Sequence, residues 1–294
     1  SINAPTRLNV IDGNTITGSY QNGIYAYYTS RVKISNNTVN LAAPLDTKAY
    51  GLYTGLCDAG FQLVGNKVTI SNATGTVNGI YVNTGKGSAM ERGTVAGNTV
   101  LGTTNNSGDL YGLVDYSSTY NNIVNNVVSI KTTGANSYGL YSFDARFGNY
   151  YNNSIYSEAT SATDNYAGYF APIVGTANVR NNIFAHNGGG KALFTSHPFN
   201  MVSDYNMLYS SGAVLVELNT PPPGFESLGN WKAATYANLQ AWRDAYTWDL
   251  NSIVYKPAFI SEVDLQPNLA NPEVWAMHGR GVQIAGNDYD FNNA

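Results

Sequence analysis

The chain has 294 residues, of which 43% are hydrophobic and only 12% are charged, and its formal net charge is −4. This length allows one large hydrophobic core, and the 15 Lys and Arg residues are spread too thinly to form the basic face that nucleic-acid binding requires. No apolar run approaches the roughly 18 residues of a transmembrane helix, so we expect no membrane span.

Two short phrases recur from the N-terminal region onward. The first places Gly before an aliphatic residue and Tyr, at Gly23, Gly51, Gly79 and Gly139, and with Val in the last place at Gly112; it then frays into "YAGYF" at Gly168 and "KALF" at Ala192. The second places Asn two residues before an apolar residue, at Asn14, Asn37, Asn66, Asn98, Asn126, Asn153, Asn182 and Asn206. Consecutive members of either series lie 23 to 33 residues apart. Two independent markers with one period of about 28 residues indicate a repeat architecture.

Each repeat contains short alternating runs such as "VKISNNTVNL" and "IVNNVVSIKTT", which we interpret as two strands hinged at the Asn. The Gly-containing phrase predicts a further strand. Three short strands per repeat predict an all-β parallel β-helix of about eight turns, with successive turns about 4.8 Å apart. Parallel crossover connections favour a right-handed coil.

The asparagines have a predicted structural role. Asn tolerates the left-handed backbone of a sharp turn, and stacked Asn side chains can hydrogen-bond from one turn to the next. The eight asparagines are therefore expected to form a ladder. Tyr25, Tyr53, Tyr81 and Tyr141 share a register and are expected to form an aromatic stack.

With this Asn hinge at a near-constant period, the sequence resembles the right-handed parallel β-helix repeat proteins over residues 9–210. The resemblance implies the fold and says almost nothing about activity. We therefore assign 1–218 to the β-helix and 219–294 to a C-terminal capping region packed on its end.

The capping region begins with the proline-rich stretch "NTPPPGFESLGNW". A short helix follows, with Thr235 as its expected cap and Leu239, Trp242 and Tyr246 on one face. We expect this helix and the strands after it to cover the open end of the β-helix. The alternative interpretation is that Trp231, Trp242, Trp248 and Trp275 form a sugar-stacking platform.

This region also resembles the tail of secreted β-helix proteins from bacteria that use type IX secretion. The matching residues are Trp242, Asn251-Ser252-Ile253, Pro257-Ala258-Phe259, Asp264-Leu265 and Asp288-Tyr289-Asp290, with Lys256 in place of the usual Asp. The resemblance implies a secreted or cell-surface location and no single activity.

Catalytic candidates come from the charged residues upstream of the hinge. Glu91 and Asp144, with Arg146 beside Asp144, fall two turns apart, at a separation close to that of an inverting carboxylate pair. The same residues are also explained as exposed ion pairs of little energetic consequence. We favour the second interpretation and expect no catalytic residue here.

No cofactor is expected. His186, His197 and His278 lack metal-binding spacing. In "DYDFNNA", Asp288 and Asp290 leave calcium as an alternative, although the Gly and the terminal Glu of an EF-hand loop are missing.

The sequence therefore favours a non-catalytic secreted or cell-surface module, a rod or adhesin that contacts polysaccharide or other surface components. The alternative is a polysaccharide lyase or glycoside hydrolase acting on a surface groove. An ice-binding solenoid is disfavoured because the turns vary in length. Because "LNVIDGNTITGS" enters part-way through a turn without a polar cap, we expect the chain to belong to a larger chain or assembly.

Overall fold

The computed structural model describes residues 8–42, 48–58, 60–105, 108–133, 136–160, 164–220 and 232–286. Three sheets of eight, nine and nine strands run through it, and every turn of the chain adds one strand to each sheet in the same order. All pairings between successive turns are parallel. The predicted all-β parallel β-helix is therefore confirmed. It has about six inner turns, each of which pairs with a neighbouring turn on both sides.

Every turn begins with a strand of the first sheet, continues with one of the second sheet and ends with one of the third sheet. The strands of the first four turns are β1 (Asn9–Asp12), β2 (Thr15–Thr17), β3 (Asn22–Tyr27), β4 (Val32–Ser35), β5 (Thr38–Ala42), β6 (Ala49–Gly55), β7 (Gln62–Val64), β8 (Lys67–Ser71), β9 (Val77–Asn83), β10 (Gly93–Ala96), β11 (Thr99–Thr104) and β12 (Leu110–Tyr116). Those of the later turns are β13 (Asn121–Val124), β14 (Val127–Thr132), β15 (Ser137–Phe143), β16 (Asn149–Tyr151), β17 (Ser154–Ala159), β18 (Asn165–Ala171), β19 (Ala177–Arg180), β20 (Ile183–Asn187), β21 (Lys191–Thr195), β22 (Met201–Asp204), β23 (Met207–Ser210) and β24 (Val216–Thr220). The remaining elements are β25 (Lys232–Tyr236), α1 (Leu239–Tyr246), β26 (Ile253–Val254) and short 3-10 helices at Pro198–Asn200 and Pro272–Met277.

The core is a set of columns in which equivalent inward-facing residues stack from turn to turn. In the first sheet, Ile34, Leu63, Val95 and Ile123 occupy one register position, and all four are fully buried. Alternate residues of each strand point outward, so every turn also adds one residue to each outer column. The burial of these columns supplies the main stabilisation of the fold.

The glycine of the first phrase marks a close approach between the third and second sheets. A Cβ added at Gly112 would lie 2.3 Å from a methyl carbon of Val128 and 2.5 Å from the carbonyl oxygen of Gly139. Any larger residue would force the two sheets apart. The phrase therefore repeats because the position has no room for a side chain where Val or Ile of the second sheet faces it, as it does from Gly23 to Gly139.

Gly168 does not occupy the glycine position that the repeated phrase predicts for it. In the structure Ala167 is the counterpart of Gly139, and Gly168 pairs with Leu140. The volume lost at Gly168 is recovered across the core, because Phe184 takes the place that Ile155 has one turn earlier. Core volume is conserved although the sequence phrase is not.

The asparagines form one continuous hydrogen-bonded column between the first and second sheets. The side-chain oxygen of Asn126 accepts from the backbone N–H of Asn98 (3.1 Å) and from its side-chain amide (3.0 Å). The amide of Asn126 donates to Asn153 Oδ1 (2.9 Å) and to the carbonyl of Val95 (2.9 Å). The same pattern runs from Asn14 to Asn206, and from Asn37 onward the asparagines are almost completely buried.

The residue before each ladder asparagine makes the sharp turn. Asn125 and Asn152 have φ values of 54° and 55°, and Gly97 has 60°. Only Gly and a few polar residues adopt this left-handed conformation readily. This requirement explains why the hinge is Asn-Asn or Gly-Asn in every turn but the last, where Tyr205 takes the left-handed position with a φ of 58°.

The ladder ends on residues of the capping region. The backbone N–H of Asn206 donates to the hydroxyl of Ser252 (2.8 Å), so Ser252 occupies the next ladder position. Asp249 accepts from Ser252 (2.6 Å), from Ser203 (2.9 Å) and from the indole N–H of Trp242 (2.9 Å). These bonds satisfy the polar groups that the last turn would otherwise expose.

Helix α1 covers the end of the core and begins later than predicted. Asn238, rather than Thr235, caps it by accepting from the backbone N–H of Ala241 (2.9 Å). Thr235 is unavailable because it pairs with Glu217 in the antiparallel β24–β25 ladder. The residues after β26 then run back along the outer surface, where Asn181 exchanges two hydrogen bonds with the backbone of Val282.

We predict that Asn126→Ala and Asn153→Ala each lower the free energy of unfolding by about 1–3 kcal/mol, because each removes several buried hydrogen bonds and leaves partners unsatisfied. Chemical denaturation measures the loss. Asn152→Gly is the matched control, since its left-handed backbone suits glycine, and we expect a change within about 0.5 kcal/mol. Equal stabilities for all three variants would contradict a structural role for the ladder.

Candidate functional site

The catalytic candidates Glu91 and Asp144 form ion pairs with different arginines. Glu91 pairs with Arg31 at 2.7 Å, and both side chains are about half exposed. Asp144 lies 3.5 Å from Arg146 Nε and accepts from Ser117 (3.3 Å). These contacts are those of exposed ion pairs at the turns of the coil, whose energetic contribution is small.

The four tryptophans do not share one described surface. Trp242 is fully buried beneath the last turn, and Trp248 packs beside it with ring centroids 5.7 Å apart. Trp275 is 70% exposed and contacts His278. Trp231 lies outside the described residues.

The outer face of the third sheet carries aromatic columns, which we call the tyrosine face. Its central column contains Tyr25, Tyr53, Tyr81, Val114, Tyr141, Tyr169 and Phe194. Tyr25 stacks on Tyr53 with centroids 4.4 Å apart, and Tyr141 stacks on Tyr169 at 4.6 Å. Val114 separates the predicted partners Tyr81 and Tyr141, so the stack is divided into two parts.

A second column of the tyrosine face packs against the first. Tyr111 and Tyr138 stack at 4.7 Å, and Tyr138 meets Tyr141 and Tyr169 edge to face. The stacking distances match the strand spacing, so the rings lie face to face along the coil and direct their edges outward. Burial raises the pKa of Tyr141 to about 12, which keeps its phenol protonated at neutral pH. The face therefore presents ring edges and neutral hydroxyl groups.

A second surface feature lies on the outer face of the second sheet, where the returning C-terminal segment crosses it. Residues 263–267 form one wall of a cavity of about 530 Å³, which we call the tail cleft. The opposite wall includes Thr99, Val127 and Ser154, which occupy one register position on adjacent strands. Two smaller cavities, of about 300 and 200 Å³, follow the same segment.

A charged cluster holds the crossing segment in place. Lys131 contacts Glu158 at 2.7 Å and Glu262 at 3.3 Å, and Ser129 donates to the carbonyl of Glu262. The phenol of Tyr156 donates to Glu158 at 2.8 Å. Two of these residues lie 131 positions apart, and sequence patterns gave no signal for the contact.

The protonation of this cluster suits it for holding the segment rather than for proton transfer. The hydrogen bond to Glu158 raises the pKa of Lys131, so the amine stays charged and cannot act as a base. Burial works to raise the pKa of Glu158, but hydrogen bonds, the strongest from Lys131, outweigh it and hold the pKa below its ordinary value. Burial also raises the pKa of Tyr156.

One acid, Asp115, lies inside the coil. Asp115 is completely buried and accepts from the amide of Asn121 and from the phenol of Tyr150, both at 2.8 Å. The Tyr150 hydroxyl also bonds Ser142 (2.7 Å). Asp115 is aligned with the buried Val82 and Ser142 of the neighbouring turns, and its place two residues after Leu113 in the repeat is the signal by which the sequence could have revealed it.

The histidines and carboxylates give no metal site in the described part of the chain. No group of three or more His, Cys, Asp or Glu residues there is arranged to hold an ion. His186 is buried, and desolvation lowers its pKa to about 4. Asp288 and Asp290, the calcium alternative, lie outside the described residues.

No family model, no curated protein and no solved structure matches the chain. Within the described ranges, no helix is both long enough and apolar enough to cross a membrane.

We predict that Asp115→Asn makes stability less dependent on pH. Burial raises the pKa of Asp115 above its value in the unfolded chain, so the stabilisation it gives is present in acid and is lost as the pH rises through the raised pKa. The neutral Asn avoids that loss. The unfolding free energy of the variant relative to wild type should therefore increase between about pH 4 and pH 8, as measured by urea denaturation. A difference that is constant or falls with pH would contradict this account.

Proposed function

We propose that the chain is a non-catalytic secreted or cell-surface β-helix module, a rod of adhesin type that contacts glycans through its tyrosine face. The observation that carries this proposal is the array of stacked tyrosines, in two parts, on the outer surface of one sheet. Tyrosine combines a rigid apolar ring with a hydroxyl group, a combination suited to recognition surfaces. The proposed location rests on the resemblance of the C-terminal segment to secreted proteins.

The protonation states of the surface groups support binding without catalysis. Burial raises the pKa of Tyr141 and of Tyr169, so these phenols stay protonated and can exchange hydrogen bonds with sugar hydroxyls but cannot remove a proton as phenolates. Glu91 and Asp144 bind their own arginines rather than a common point. The alternative is a polysaccharide lyase or glycoside hydrolase acting on a surface groove.

We predict that Tyr141→Phe with Tyr169→Phe weakens binding to polysaccharide about tenfold, because two hydroxyl donors are lost while the ring stack is kept. The affinity is measured by co-sedimentation with insoluble cellulose, chitin and xylan, and by affinity electrophoresis with soluble pectin. Tyr151→Phe is the matched control, since Tyr151 faces outward from the first sheet.

A double variant that keeps wild-type affinity would exclude the tyrosine face as the glycan contact. Failure of the wild type to bind any of these polymers, with capture of a protein partner instead, would exclude glycan as its ligand.

We predict that Glu91→Gln with Asp144→Asn leaves polysaccharide binding unchanged, and that wild type releases neither reducing ends nor unsaturated uronate products from the same polymers. A reducing-sugar assay and the ultraviolet absorbance of unsaturated uronates detect the two reaction types. Cleavage by wild type that the double substitution abolishes would overturn the non-catalytic proposal and establish the enzyme alternative.

A further inference from the structure

The tail cleft has the size and shape of a site for a linear ligand. Its volume of about 530 Å³ lies within the range of small-molecule sites. Lys67, Thr99, Val127 and Ser154 line it at one register position on four adjacent strands. At the strand spacing of about 4.8 Å this wall is about 14 Å long, so the cleft runs along the coil.

The lining has balanced charge and mixed polarity. It carries one cation, Lys67, and one anion, Asp264. The amides of Asn152 and Gln266 supply both donors and acceptors. Aliphatic side chains of both walls lie between these polar groups, among them Leu101 and Leu265. A strongly acidic or basic ligand would find no complementary field here.

The backbone of the cleft floor excludes an extended peptide as a main-chain ligand. The N–H and C=O groups of β11 and β14 bond the strands on either side, so this face has no free sheet edge. A ligand must therefore bond to side-chain amides and hydroxyls and rest its apolar parts on aliphatic surfaces. Sugars have this chemistry, with hydroxyl groups around a ring whose faces are C–H.

We propose that the tail cleft binds a short, linear, uncharged oligosaccharide. This second site is separate from the tyrosine face and does not depend on it. Glu262, held by Lys131, fixes the crossing segment that forms the outer wall. The site is therefore assembled from a regular sheet and one segment that leaves the repeat.

Isothermal titration with cellotetraose, xylotetraose, mannotetraose and maltotetraose tests the proposal, with tetragalacturonate as the acidic comparison. At least one neutral probe should bind wild type. Thr99→Trp fills the cleft and should weaken that binding about tenfold or more. Thr38→Trp is the matched control, because Thr38 is exposed in the same column two turns earlier.

Asn152→Gly gives a second variant if Thr99→Trp does not fold, since it deletes one cleft amide at a backbone angle that glycine accepts. It should weaken binding, whereas Tyr141→Phe with Tyr169→Phe should bind the probe as wild type does. The proposal is overturned if no neutral probe binds, if tetragalacturonate binds more tightly than all of them, or if neither cleft variant loses affinity. Loss of binding in the tyrosine variant alone would assign the probe to the tyrosine face.

Discussion

The fold depends on the asparagine ladder, because it fixes how each turn sits on the one before. Each internal asparagine accepts from the backbone and the side chain of its predecessor and donates to its successor. A shift of one residue would break these buried bonds and would move the inward-facing side chains of every strand to the outer face. The ladder thus sets the register of all three sheets, and with it the position of every outer side chain.

Fixed register turns a repeated residue type into a surface. Where successive turns carry tyrosine at one position, the rings fall at the strand spacing and stack, as Tyr141 and Tyr169 do. The stacking stabilises the array and at the same time covers the ring faces. Binding at this surface must therefore use ring edges and hydroxyl groups, which favours polar, extended partners over small apolar ones.

Sequence reasoning succeeded where information is periodic and failed where it is not. Two markers with a common period were enough to predict the β-helix, because each turn repeats the same local contacts. The contact between Lys131 and Glu262 joins residues far apart in sequence, and neither has a local pattern that identifies its partner. The assignment of Gly168 failed for a related reason, since Phe184 on another sheet compensates for it and conserves volume rather than residue type.

The same contrast shows where specificity can arise in a solenoid. A column repeats one chemistry along its length, so it offers many equivalent contacts and little discrimination among positions along a polymer. A site with different groups on its two walls requires a segment that leaves the repeat, and residues 261–267 are such a segment. Their position rests on the buried carboxylate of Glu158, which holds the Lys131 ammonium that in turn binds Glu262. Removing Glu158 would leave the outer wall attached to a less constrained cation, so the geometry of the cleft depends on a residue that the repeat itself supplies.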